Sequence, residues 1–348
     1  MTITAATNNK KTDDTVKILA SAPPQWHSVL LVVIMVSYFL HRIPTLASLD
    51  KDATLATFTH RVFSQSMSIR TLAWIRLGIA ASIFLTSLYV ALAPGWDQMT
   101  TYVKSSQCRK VINHISGIKT LYPFTSWSWN VLGLAFAMSS YLAFCGIAAE
   151  SSGSTSGLAV SPWILRLTLI LWEIAAPCTL LVAATIRYAI WPAVLKAHGE
   201  TVNLKKWRNI MMHNINVIFA LSETALLGGL PIRVSHMSLA PLYGAVYIVF
   251  TWNITRLIND DPRAGPQFLY FFMDTTVPGY FSTLAIVALL VVLLVFFLLF
   301  CFTHPALRSL ELAVYGASEE DGGDAVASVV LRVLFVLGVS STVMRFRD

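Results

Sequence analysis

Six largely apolar runs, close to 77–94, 124–149, 162–190, 210–229, 239–258 and 279–302, set the first limit on what this chain can become. A helix rises 1.5 Å per residue, so about 20 such residues cross the roughly 30 Å hydrocarbon layer of a bilayer. Lipid gives backbone N–H and C=O groups no hydrogen-bond partners, so a spanning segment is either a helix or a strand of a closed barrel. The even apolar/polar alternation of barrel strands is absent here. The expected fold class is therefore all-α, a polytopic transmembrane helical bundle with six spans and one or two further apolar segments.

Composition agrees. Only 12% of the residues are charged, against roughly 25% in a soluble domain, so a fully hydrated surface cannot be assembled. The net charge of +7 does not point to nucleic acid, because Lys and Arg fall in short loops and form no basic face. Cys108, Cys145, Cys178 and Cys301 have no metal-ligand spacing, so neither a zinc site nor a disulfide framework is expected. No metal or cofactor is required.

Residues 1–27 read as a disordered polar tail, 28–70 as an apolar interfacial or spanning segment with a loop, 71–302 as the six-helix bundle, and 303–348 as a C-terminal tail. The run at 29–40 is shorter than a span, and the run at 325–344 contains Arg332. SSGSTSG at 151–157 reads as a flexible connector. N-I-T at 253–255 matches a glycosylation sequon but falls inside the expected fifth span.

Lys104, Arg109, Lys110 and Lys119 precede the second span, and Lys196, Lys205, Lys206 and Arg208 precede or open the fourth. The second-to-third loop has no Lys or Arg, and the fourth-to-fifth has Arg233. By the positive-inside rule, the loops before spans two, four and six face the cytosol. With six spans the basic N-terminal region would lie outside, so this orientation fits better if 29–46 also crosses.

The same parity puts Thr125, where the second span begins, at the depth of His213, where the fourth begins. A threonine hydroxyl is a poor nucleophile near neutral pH and needs a base within about 3 Å, a task suited to histidine. His213, Asn216, Ala220 and Glu223 form one helical stripe. Thr125, Ser128, Leu132, Ala135 and Ser139 form another, small enough to line a cavity or admit an acyl chain. Helix capping by Thr125 and an interfacial role for His213 are the simpler alternatives. Glu173 and Glu223 stand near the middle of their spans, either sharing a proton or tying helices together. Asp274 is a candidate to orient the histidine or a loop cap. Asn214, Asn216 and Ser126 are candidate oxyanion donors.

FTSW at 124–127, W-x-x-x-x-P at 172–177, H-N-x-N-x-x-x-x-x-S-E at 213–223 and Y-x-x-x-D-x-x-x-P at 270–278 occur in this order. The ordered set resembles the androgen-induced and androgen-dependent membrane hydrolases and the related rolling-stone-like proteins, over about residues 70–302. The resemblance implies a multi-span threonine hydrolase acting on fatty acid esters of hydroxy fatty acids, with Thr125 matching the nucleophile and His213 the catalytic histidine. Asp274 matches an acidic position of unassigned role, and FTSW is closer to rolling-stone-like members, for which hydrolysis is not implied.

The resulting expectation is a lipid-ester hydrolase of the endoplasmic reticulum or plasma membrane, its partners being the bilayer and the lipid ester. Two rivals stand beside it. One is a transporter or proton-linked carrier using Glu173 and Glu223, and the other a non-enzymatic membrane adaptor.

Overall fold

The computed structural model describes residues 25–99, 103–152, 160–198, 201–315 and 322–348. The tail expected over 1–27 lies outside the described residues up to residue 24, and the connector at 151–157 from residue 153. Helix α1 spans Trp26–His41, followed by the short helices α2 (Leu46–Asp50) and α3 (Leu55–Thr59), then α4 (Ile69–Leu92). A two-stranded antiparallel hairpin, β1 (Trp96–Met99) and β2 (Ile112–Ile115), precedes α5 (Phe124–Ser152). Helix α6 (Pro162–Thr185) passes through a π-helical turn, Ile186–Ile190, into α7 (Trp191–His198). A second π-helical turn, Met211–Ile215, joins α8 (Trp207–Ile210) to α9 (Asn216–Ala225). Helices α10 (Leu239–Asn253), α11 (Phe281–Tyr315) and α12 (Gly322–Val343) complete the bundle.

Among the described residues, six helical segments are long and apolar enough to cross a membrane, and the protein is a multi-pass helical bundle. Five of them coincide with expected runs, and one differs. The segment 207–225 is not among them, because Arg208, Asn209, His213, Asn214, Asn216 and Glu223 dilute its apolar character, whereas 326–343 is. Helix α4 begins at Ile69, ahead of the expected 77, where the Ser68 hydroxyl accepts the Thr71 N–H at 3.0 Å. Arg70 and Arg76 interrupt the apolar run in sequence; in three dimensions Arg76 is fully buried.

Helix α6 is the hub. It packs against α5, α9, α10 and α11, and 78% of its apolar span is buried, against 22% in α11. Apolar side chains on the outer helices, among them Leu85, Leu88, Leu284 and Val295, are more than half exposed, the pattern of a surface solvated by lipid.

The two ambiguous runs both join the bundle. Helix α1 packs on α10 and α11. At one end Gln25 donates to the Val277 carbonyl and His27 meets Thr283 at 2.5 Å, while at the other the Ser238 hydroxyl donates to the Arg42 carbonyl at 2.9 Å. The helix therefore runs the length of α10, antiparallel to it. Helix α12 packs on α9, where Arg332 donates to Glu311 at 2.6 and 2.8 Å and to the Ala225 carbonyl at 3.1 Å. Helix α10 stops at Asn253, so N-I-T stands at a helix end and not inside a span.

Candidate functional site

The ends of α4, α7 and α10 and the beginnings of α5, α8 and α11 lie at one end of the bundle. There the three loops expected to share a face close over a cavity of about 520 Å³, which Gln98, Thr201, Asn203 and Phe268 help to line. Thr125 and His213 both line this cavity. Equal depth follows from parity, whereas the shared cavity depends on α5 packing against the 211–215 turn and α9, where Trp129 stacks on Phe219 with centroids 6.3 Å apart.

Thr125 also opens onto a second, almost wholly apolar slot of about 80 Å³, walled by Leu181, Val182, Gly244, Ile286 and Leu289 and closed by Met35 of α1. Thr125, Ile186, Ile190 and Tyr270 line both spaces. Thr125 thus stands between a larger, mixed cavity, where Arg208, Asn209 and Asp97 are present, and an apolar slot. A substrate with a polar group and an acyl chain matches that division.

Both π-helical turns flank the site, Ile186–Ile190 lining the two spaces and Met211–Ile215 holding His213. An extra residue per turn widens the helix and re-aims its side chains, and such turns recur at functional sites. Neither turn contains a proline or glycine that would mark it in the sequence. Pro177 marks where α6 must depart from regular hydrogen bonding, but the π-helical turn lies farther along the helix.

Tyr270 is the residue the sequence reading left without a role. Its hydroxyl oxygen accepts the Phe124 N–H at 3.1 Å and makes further polar contacts with Thr125 and Tyr247. Burial holds the phenol protonated, its pKa above the ordinary tyrosine range. Its place in Y-x-x-x-D-x-x-x-P was the available signal.

The remaining candidates are placed differently from expectation. Asp274 does not meet His213: it accepts from Ser106, from the Thr276 N–H at 2.9 Å and from the Thr276 hydroxyl at 2.6 Å, pinning the segment before β2 to the turn before α11. The Asn214 amide donates to the Arg345 carbonyl at 2.9 Å and holds the chain after α12. The Ser126 hydroxyl donates to the Thr120 carbonyl at 2.6 Å, which commits its proton. Asn216 keeps a buried amide nitrogen without a hydrogen-bond partner while its oxygen accepts the Val217 N–H at 2.8 Å. No hydrogen bond joins the His213 side chain to Thr125 or to any other described residue.

Both polar stripes face inward. Ser128, Leu132, Ala135 and Ser139 are buried, as are Asn216, Ala220 and Glu223. Leu132 and Ala135 of the α5 stripe are packed into the main core, and the apolar slot runs between α6, α10 and α11.

Glu173 and Glu223 do not share a proton with each other. Glu223 binds Arg76 through two hydrogen bonds, and Glu173 meets His236 at 2.9 Å and accepts the Arg233 N–H at 3.2 Å. No family model, curated protein or solved structure matches the chain.

Proposed function

We propose that this membrane protein hydrolyses a lipid ester, with Thr125 as nucleophile and His213 as base. His213 takes the hydroxyl proton as the Thr125 oxygen attacks the ester carbonyl, and the released alcohol leaves with that proton. Water, deprotonated by the same ring, then cleaves the acyl-enzyme and frees the acid. The substrate class is a fatty acid ester of a hydroxy fatty acid or a similar lipid, met in an endoplasmic reticulum or plasma membrane. The observation that carries this reading is Thr125 at the junction of the apolar slot and the larger mixed cavity that His213 also lines.

Two features add support. The His213 ring has no competing hydrogen bond among the described residues, so a nitrogen is free for proton transfer. Asn216 carries a buried donor without a partner, one turn from His213. A carrier built on protonatable carboxylates has less support, because both intramembrane glutamates already hold cationic or imidazole partners.

The test is fluorophosphonate labelling of the full chain in membranes, with adducts mapped to peptides, followed by an ester panel. Wild-type protein is expected to carry an adduct on Thr125 and to cleave a lipid ester. Thr125→Ala should lose that adduct, and His213→Ala should slow its formation by about 100-fold or more. Equal labelling of Thr125 in wild type and His213→Ala, or unchanged ester turnover in Thr125→Ala, would overturn the mechanism.

A further inference from the structure

At the opposite end of the bundle from Thr125, three side chains that are far apart in sequence form a hydrogen-bonded line. The Ser48 hydroxyl lies 3.0 Å from His236 Nε2, and His236 Nδ1 lies 2.9 and 3.0 Å from the two Glu173 carboxylate oxygens. Ser48 comes from α2, His236 from the turn before α10, and Glu173 from the middle of α6. His236 and Glu173 are fully buried, whereas Ser48 is half-buried.

The carboxylate decides which way the proton faces. With Glu173 ionised and the imidazole neutral, the ring proton sits on Nδ1 toward Glu173 and the Nε2 lone pair faces Ser48. The Ser48 hydroxyl must then donate to Nε2, which polarises it toward nucleophilic attack. Glu173 is held in turn by the Arg233 N–H at 3.2 Å, while the Arg233 guanidinium is clamped by Asp52 at 2.6 and 2.8 Å. The orienting carboxylate is therefore fixed from a second direction.

We propose that Ser48 is a second nucleophile of this protein, with His236 as its base and Glu173 as the positioning residue, acting on an acyl ester presented from the bilayer surface. Leu40, Ile43 and Leu46, which precede Ser48 closely in sequence, are each about half exposed, which matches an acyl chain arriving from lipid. In the reaction, the Ser48 oxygen bonds to the acyl carbon as His236 Nε2 takes the proton. The ester's alcohol leaves with that proton, and water releases the acid, restoring the hydroxyl.

This site is independent of the one at Thr125, and peptide mapping separates them. Full-length protein in membranes is treated with a fluorophosphonate probe and digested, and the adducts are located by mass spectrometry. The expected result is an adduct on Ser48 that persists in Thr125→Ala, disappears in Ser48→Ala, and forms about 100-fold more slowly in His236→Gln. Because His236→Gln alters a buried network, its thermal transition is measured alongside, and the pH dependence of Ser48 labelling in wild type supplies a second readout. A titratable rise in rate supports imidazole assistance. The proposal is overturned by absence of a Ser48 adduct in folded wild-type protein, by a pH-independent labelling rate, or by equal rates in wild type and a folded His236→Gln protein.

Discussion

The Arg76 guanidinium holds the Glu223 carboxylate through hydrogen bonds of 2.6 and 3.1 Å, with neither side chain exposed. Its third arm donates to the Phe58 carbonyl at 2.6 Å, so α3, α4 and α9 meet at one ion pair. Removing one partner leaves the other charge buried and uncompensated, which costs about 3–5 kcal/mol. Arg76→Ala should lower the thermal transition of the detergent-solubilised protein sharply, and Arg76→Ala with Glu223→Ala should recover part of the loss. A double variant no more stable than the single would show that the pair is not the source.

Gly228 belongs to the same construction. A Cβ there would meet Arg76 Nη2 at 1.9 Å and Glu223 Oε1 at 2.4 Å, closer than any relaxed contact. Gly228→Ala must therefore displace the ion pair, and a destabilisation of about 1–3 kcal/mol is expected from the overpacking. Gly78→Ala, whose Cβ meets nothing within 4 Å, is the matched control and should be neutral or slightly stabilising. Thermal melts of the two variants check the difference.

Tyr270 anchors the start of α5 through its oxygen. Tyr270→Phe keeps the ring that lines both spaces but removes the acceptor, so the Phe124 N–H loses its partner and Thr125 loses a polar neighbour. A fall of about 10-fold in Thr125 labelling, with a thermal cost of about 1–2 kcal/mol, is expected from one lost buried hydrogen bond. Unchanged labelling would assign Tyr270 to packing alone.

Cys108 lies outside the spans, where burial and then the neighbouring Asp274 carboxylate push its thiol up to about 11. At pH 7.5 it should resist iodoacetamide in the folded protein and react readily after denaturation. Since the folded state holds this proton more tightly than the unfolded chain, the contribution to stability is full below the ordinary value of 9.0 and is lost as pH rises from there through about 11. Asp274→Asn should move the onset of alkylation to lower pH, as read from a labelling series.

Apolar run length alone determined that this chain is a helical bundle in a membrane, because lipid leaves the backbone no other way to satisfy its polar groups. Parity then put Thr125 and His213 at one end, and the beginnings of the second and third spans were legible from Pro123 and Pro162. Run length failed wherever a polar residue finds its partner inside the bundle. Arg76 hid the first third of α4, and Arg208, Asn209, His213, Asn214, Asn216 and Glu223 make 207–225 less apolar than the six candidate spans. Arg332 and the shortness of α1 left two packed helices undecided. Only tertiary structure decided which polar groups pair, giving Glu223 to Arg76 and Glu173 to His236, and committing Asp274 to Thr276. The reason is physical: helical periodicity fixes the face and depth of a side chain, while its hydrogen-bond partner depends on which helices lie side by side, and that is set by packing between segments far apart in the chain.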